Sequence, residues 1–370
     1  MPRHARITVD LAAIEHNARL LHSAAPNSIL CGVVKADGYG HGAVQAAGAA
    51  LAGGAAWLGV ALVEEGVALR EAGITAPVLL LSEAPPDAMQ DAFRAGLTPT
   101  LYTPSGVEAA KRAAGDDGPW SVHLKVDTGM HRVGADPCVA TELARSIWNS
   151  TELSLGGTFT HLAVADDPQR PETAEQLERF DAVIAEIRSV GIDPGLLHAA
   201  NSAGALLHPE SHFDMTRTGI SLYGYPPAPG LGDSCSGLKP ALGLSAEVTM
   251  LRDLDAGDGV SYGLRHVVDR PTRVAVVPLG YADGIDRRFG MAGGEVLIGG
   301  HRCPVRGVVT MDQMIVEVPH GLPVKLGDEV VLLGSQGPES ISADDWAELL
   351  GTISYEVLCR FSARLPRTYV

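Results

Sequence analysis

From the N-terminus to about residue 225, short apolar runs alternate with amphipathic stretches. Runs near 29–34, 57–62, 77–82, 98–102, 120–126, 153–161, 195–200 and 212–216 read as buried strands, because they are bounded by turn residues. Between them the period becomes helical: 63–72 is amphipathic, and in 173–190 Leu177, Phe180, Val183, Ile184 and Ile187 make one stripe. Ahead of these, Arg6 to Val9 alternates like a strand, and Leu11, Ile14, Ala18 and Leu21 share a helical face. Strands alternating with helices imply βα units around a parallel sheet, and eight such units predict an N-terminal (β/α)8 TIM-type barrel. An open doubly wound sheet fits less well, since no GxGxxG follows the first strand.

The alternation stops at YGYPPAPGLGDSCSG (223–237), a Pro-, Gly- and Ser-rich stretch without apolar period. Beyond it, short strands are predicted at 244–251, 272–279, 295–299, 302–309, 314–318 and 329–333, with one helix at 343–350 capped by Ser342 and closed by Gly351. The expected organisation is a barrel over 10–228 and a mainly β domain over 236–370 that also takes the N-terminal strand, 1–9.

Composition narrows the partners. The 370-residue chain is 46% hydrophobic and 19% charged, enough to bury a large core. Its net charge of −16, with no Lys/Arg-rich run, argues against nucleic acid. The five cysteines, Cys31, Cys138, Cys235, Cys303 and Cys359, lack CxxC spacing, which argues against a disulfide framework or a metal site. No signal-peptide core or membrane-length apolar run is present, so a soluble, cytoplasmic protein is expected.

In such a barrel chemistry belongs at the carboxyl ends of the strands, and unusual polar residues fall there. Lys35 follows the first barrel strand within ILCGVVKADGYGHG (29–42), where an amine can form a Schiff base with an aldehyde cofactor. Lys125, Asp127 and Arg132 follow the fifth, His161 the sixth, Asn201 and Ser202 the seventh, and Arg217 the eighth. The loops after strands seven and eight commonly hold a phosphate; here Ser202 offers a hydroxyl and Gly219 and Ile220 offer amides. A second reading makes Ser202 merely a helix cap.

VVKADGYGHG resembles the pyridoxal-phosphate (PLP) lysine signature of the alanine racemase family. KVDTGMHRVG (125–134), THLA (160–163), HAANSAG (198–204), MTRTGISLYG (215–224), GVSYGLRH (259–266), GYADG (280–284) and TMDQ (310–313) match family motifs in order. One departure is Thr218, where relatives usually carry proline, with an expected loosening of the phosphate loop and no loss of a donor. The resemblance implies a PLP-dependent racemase of D-alanine biosynthesis acting as a homodimer with shared active sites. Lys35 would hold PLP and serve one face of the substrate. Tyr262 would serve the other, with Arg217 and Arg132 helping a phenol that ordinarily ionises near pH 10. Ser202, Gly219, Ile220, Tyr39 and Tyr355 would hold the phosphate, Asn201 and His161 would also line the cofactor, and Arg217 would face its pyridine nitrogen. Arg132, Tyr281, Met311 and Asp312 would surround substrate alanine. Lys125 matches a position often carbamylated in relatives, and His198 would support Arg217. A related PLP amino-acid decarboxylase and a non-catalytic PLP carrier are the competing readings. The first would want a carboxylate in place of Arg217, and the second would lack a domain bearing Tyr262.

Overall fold

The computed structural model describes residues 4–115 and 118–370, so residues 1–3 of the expected N-terminal strand segment lie outside the described residues. The chain divides into two compact units, Ala12–Lys239 and Met1–Leu11 with Pro240–Val370. Strand β1 (Ala5–Val9) belongs to the second.

The first unit contains β2 (Ile29–Val33), β3 (Trp57–Val60), β4 (Val78–Leu80), β5 (Thr100–Leu101), β6 (Trp120–Lys125), β7 (Leu153–Phe159), β8 (Leu196–His198) and β9 (Met215–Thr218). They pair in parallel as two arcs, β9-β2-β3-β4 and β5-β6-β7-β8. A parallel bridge from Leu79 to Thr98 joins the arcs at one seam. At the other, Asp214 N–H donates to Leu197 O (2.9 Å) and Arg217 N–H to Ala200 O (3.0 Å). The expected (β/α)8 barrel is therefore present.

Its helices bury the stripes their spacing dictates. In Glu172–Ser189, Leu177, Phe180, Val183, Ile184 and Ile187 are all buried, each worth about 2 kcal/mol of transfer free energy. Phe180 meets Phe213 edge-on at 5.4 Å. That contact corrects the eighth barrel strand, expected at 212–216. Phe213 has φ 45° and packs against the helix as a plug, so the strand begins at Met215 and Arg217 lies within it.

The second unit is mainly β, as expected. Its strands are β10 (Leu242–Glu247), β11 (Met250–Leu254), β12 (Gly259–Val260), β13 (His266–Val267), β14 (Thr272–Val277), β15 (Glu295–Ile298), β16 (His301–Arg306), β17 (Met314–Val318), β18 (Glu329–Gln336), β19 (Glu339–Ile341) and β20 (Arg367–Tyr369). The sheet runs β11-β14-β17-β16-β15-β18-β10-β1-β20, with β19 on β18 and β12-β13 as a separate hairpin. β1 lies antiparallel to β10 and parallel to β20. The run expected at 244–251 is two strands: Val248 N–H turns to Asp328 O and Thr249 N–H to Val276 O, which breaks the ladder. Ser342 and Asp345 close a reciprocal capping box on helix Ala343–Leu350, and Gly351 ends it at φ 68°. The hairpin β12-β13, β19, β20 and helix Ser354–Cys359 have no counterpart in the hydrophobic pattern.

Candidate active site

Val34 leaves the barrel sheet by donating to Gly59 O (2.8 Å), and Lys35 follows. The next four residues, Ala36, Asp37, Gly38 and Tyr39, have φ of 53°, 53°, 61° and 53°, a left-handed turn. Each non-glycine residue there costs about 1–2 kcal/mol, so the surroundings have to hold it. Ala36 N–H donates to Glu65 Oε1 (2.6 Å) and Ala43 N–H to Asp37 Oδ1 (3.0 Å). Buried His41 donates from Nδ1 to Gly38 O (3.0 Å) and Tyr39 O (2.9 Å). Tyr39 stacks on Tyr223 at 4.9 Å, and the Tyr223 hydroxyl donates to Val33 O (3.0 Å).

Arg217 projects from β9 and is 3% exposed. Its Nη1 donates to His198 Nδ1 (2.8 Å); its Nη2 donates to Thr160 O (2.8 Å), Ala199 O (2.9 Å) and His161 Nδ1 (3.3 Å). Its Nε–H has no partner among the described residues. Since His198 accepts at Nδ1, its proton sits on Nε2 and is donated to His123 Nδ1 (2.9 Å). Phe159 supports the cluster: His198 stacks on it at 4.5 Å, and Arg217 and Lys125 lie 5.1 Å and 5.4 Å from its centroid.

Beside Arg217 lies a cradle of hydrogen-bond donors. Asn201, not Ser202, is the cap of helix Ser202–Leu207: its Oδ1 accepts from Gly204 N–H (2.9 Å) and its Nδ2 donates to Leu162 O (3.2 Å). Ser202 Oγ instead accepts from Gly219 N–H (2.9 Å). A Cβ on Gly219 would overlap the Tyr39 hydroxyl, so glycine lets phenol, hydroxyl and backbone converge. The Ile220 N–H opens a 3-10 turn and has no intrahelical acceptor. Such a cluster fits the phosphate of PLP, as Arg217 Nε–H fits its ring nitrogen. Thr218 pairs with Gly32 inside the sheet, so the strand holds the position where proline was missed.

Positive charge accumulates here although the chain is acidic. Burial first, then the charges of Arg217, Arg132 and Lys35, lower the Lys125 amine from 10.5 to about 7. Burial and the charges of Arg217, Lys125, Arg132 and Lys35 hold His161 well below its usual range. His198 is held down likewise by burial, then by Arg217, while Arg217 itself falls only to about 10 and stays cationic. Arg132 lies on a loop pinned by Asp127, whose Oδ1 accepts from the N–H groups of Gly129 (3.0 Å), Met130 (2.9 Å) and His131 (3.0 Å). Thus Lys35, Tyr39, Lys125, Arg132, His161, His198, Asn201, Ser202, Arg217, Gly219 and Ile220 all belong to one unit, at or near the carboxyl ends of its strands.

The remaining predicted residues belong to the other unit. Tyr262 opens the turn between β12 and β13 and is 72% exposed. Tyr281, Met311 and Asp312 come together: Tyr281 N–H donates to Thr310 O (3.0 Å) and Ala282 N–H to Met311 O (3.1 Å). Asp312, expected at substrate, is paired with Arg364 Nη2 at 2.6 Å. Tyr355 lies on helix Ser354–Cys359. The sequence reading missed Glu65, His123, Phe159 and Tyr223. Phe159 carried a signal, as an aromatic closing a strand just before THLA, and Tyr223 lay within MTRTGISLYG.

Comparison with known proteins adds independent findings. The family model of the alanine racemase N-terminal domain matches residues 9–227, and that of the C-terminal domain matches 241–369. The chain is 48% identical to an alanine racemase of Symbiobacterium thermophilum over 98% of its own length and 96% of that protein. It is 42% identical to one of Thermobifida fusca, covering 100% of the chain and 99% of the relative. Among solved structures, the alanine racemase of Bacillus anthracis with bound L-Ala-P superposes with a TM-score of 0.94 at 35% identity, covering 100% of this chain and 96% of that one. The alanine racemase of Streptomyces lavendulae gives 0.94 at 37% identity, covering 100% and 98%.

Proposed function

The chain belongs to the alanine racemase family and interconverts L- and D-alanine, and we propose that it does so with pyridoxal phosphate, using Lys35 and Tyr262 as bases on opposite faces of the substrate. When bound, PLP supplies an aldehyde that condenses with amines and a conjugated ring that delocalises the charge left at the α-carbon. Lys35 would hold the aldehyde carbon, and its amine would exchange the α-proton on the face presented by D-alanine. Tyr262 would hold or accept that proton on the L-alanine face. The Ser202 hydroxyl, the Ile220 amide and the phenols of Tyr39 and Tyr355 would bind the phosphate, and Gly219, whose N–H donates to Ser202 Oγ, would line it. His161 would lie against the ring, with Asn201 bordering it. Arg132 would take the substrate carboxylate, oriented by Lys125 in carbamate form, with Tyr281, Met311 and Asp312 nearby.

The observation that carries this reading is Arg217. It is buried, cationic and held through both Nη atoms, so its Nε–H would donate to a pyridine nitrogen and could not give it a proton. With that nitrogen unprotonated the ring would be a weaker electron sink, which would favour returning the proton to the α-carbon over transamination or decarboxylation. No carboxylate replaces it, and Tyr262 is present, which disfavours both the decarboxylase and the carrier.

Tyr262, Leu264, Val267 and Met311 are exposed on their unit, an apolar surface suited to a partner. We take the protein to be a homodimer in which Tyr262 completes the partner's site. Five free cysteines suit a reducing cytoplasm, where the enzyme would supply D-alanine. Mixing inactive Lys35→Ala and Tyr262→Phe subunits is expected to restore activity through one intact site per heterodimer. No recovery despite proven subunit exchange would refute sharing. Loss of α-deuterium from both alanine enantiomers without CO₂ release would support the racemase over the decarboxylase and the carrier, and retention in either would refute it.

A further inference from the structure

We propose that Glu65 is a positioning residue for Lys35, holding the peptide plane that follows it and so fixing the direction in which the amine leaves the barrel. The proposal rests on the role of Lys35 given above.

Glu65 occupies the first turn of helix Val63–Glu71 and is half-buried. Its Oε2 accepts from Ala61 N–H (2.9 Å) and Leu62 N–H (3.1 Å), which tie the carboxylate to the end of β3. Its Oε1 accepts from Ala36 N–H at 2.6 Å, a short charge-assisted bond. One side chain thus joins the loops after β2 and β3.

The consequence for Lys35 follows from peptide planarity. The plane before its Cα contains Val34 C=O, which accepts from Gly38 N–H (2.9 Å). The plane after it contains Ala36 N–H, held by Glu65. With both planes anchored, φ and ψ of Lys35 are set, and with them the Cα–Cβ direction. Ala36 and Asp37 at φ 53° are conformations an L-residue leaves readily once unheld. Without the carboxylate, the turn relaxes and the amine loses its aim. Glu83 provides a matched control: its Oε2 accepts from Tyr102 N–H (2.7 Å) and Thr103 N–H (3.0 Å), and its Oε1 from the Thr103 hydroxyl (2.6 Å), on the loop after β5.

The test uses Glu65→Asp, which keeps a carboxylate on the helix's first turn but withdraws it by one methylene from Ala36, with isosteric Glu65→Gln alongside. Hydrogen exchange of the peptide covering 35–42 is measured on the PLP-free and PLP-loaded protein, PLP affinity by absorbance, and α-deuterium isotope effects in both directions. Glu65→Asp is expected to speed exchange at Ala36 about tenfold, weaken PLP binding about tenfold and raise the isotope effect with D-alanine relative to L-alanine. Glu83→Asp is expected to change none of these. Unchanged Ala36 exchange and PLP affinity in both Glu65 variants would overturn the proposal, as would the same losses in Glu83→Asp. If Lys35→Ala takes up PLP as tightly as the wild type, the role of Lys35 falls, while Ala36 exchange still judges the clamp.

Discussion

Replacing Lys125 by methionine is expected to stabilise the protein in mild acid, by an amount that shrinks as pH rises. Lys125 is 5% exposed, and burial, Arg217, Arg132 and Lys35 together lower its pKa from 10.5 to about 7. For a base whose folded pKa is lowered, the penalty is fully present below about pH 7, where both folded and unfolded chains carry the charge. Between about 7 and 10.5 the unfolded chain binds more protons, so stability rises with pH; above that the penalty is gone. Linkage over that window gives about 5 kcal/mol in all, of which about 3 kcal/mol falls between about pH 6 and 9. Denaturant unfolding of wild type and Lys125→Met in CO₂-free buffer, compared as a difference, cancels other titrating groups. Parallel stability curves across that range would refute a lowered pKa. A half-neutral amine near pH 7 would also be a nucleophile for CO₂: the N–C bond would form, a proton would leave, and the carbamate anion would offset the charge of Arg132. Bicarbonate should therefore stabilise the wild type and not the methionine variant, with ¹³C label and the mass of CO₂ retained on Lys125. A free ε-amine in the folded protein under bicarbonate would end that idea.

Three further substitutions probe the cofactor cradle. Gly219→Ala forces a Cβ onto the Tyr39 hydroxyl, and PLP affinity by equilibrium dialysis should fall about tenfold or more, near 1.4 kcal/mol; unchanged affinity would argue against this cradle. Ser202→Ala strips the Gly219 N–H of its acceptor, which should cost about 1–3 kcal/mol in stability or PLP binding, read by thermal unfolding with and without PLP. Arg217→Glu buries a carboxylate against the carbonyls of Thr160 and Ala199 and should destabilise the fold by about 3–5 kcal/mol. In whatever folds, racemisation should fall and pyridoxamine phosphate, measured by chromatography, should accumulate during turnover; its absence would contradict the role given to the ring-nitrogen donor.

How much of this was legible in the sequence depended on the range of the interaction. The barrel strands were visible because burial on both faces leaves continuous apolar runs, and Lys35 and Arg217 because they interrupt such runs. Phe213 misled for the same reason: hydrophobicity alone does not separate a strand residue from a loop residue that plugs a helix. The Ser202 alternative was undecidable locally, since Asn201 and Ser202 are both good caps and only a partner seventeen residues away, Gly219, separates their roles. The hairpin bearing Tyr262 was invisible as structure because its strands are two residues each. Glu65 looked like an ordinary acidic residue in a helix's first turn, its usual place. Its bond to Ala36 is a long-range contact that no periodicity announces.

These carboxylates also explain how a chain of net charge −16 keeps a cationic pocket. Opposite charges nearby would ordinarily neutralise Lys35, Arg132 and Arg217. Here the acidic groups on the adjoining loops are committed to backbone amides instead: Glu65 to Ala36, Ala61 and Leu62, Glu83 to Tyr102 and Thr103, and Asp127 to Gly129, Met130 and His131. A carboxylate that accepts several N–H bonds has its lone pairs engaged and its position fixed, so it rigidifies a loop without forming an ion pair with the basic groups beside it. Of the three, Asp127 partly offsets the charge felt by Lys125, behind burial, Arg217, Arg132 and Lys35. The surplus positive charge suits a phosphate and a carboxylate, the anions the proposed function would bring. The same geometry keeps His161 and His198 neutral, so that they accept from Arg217 rather than compete with it for those anions.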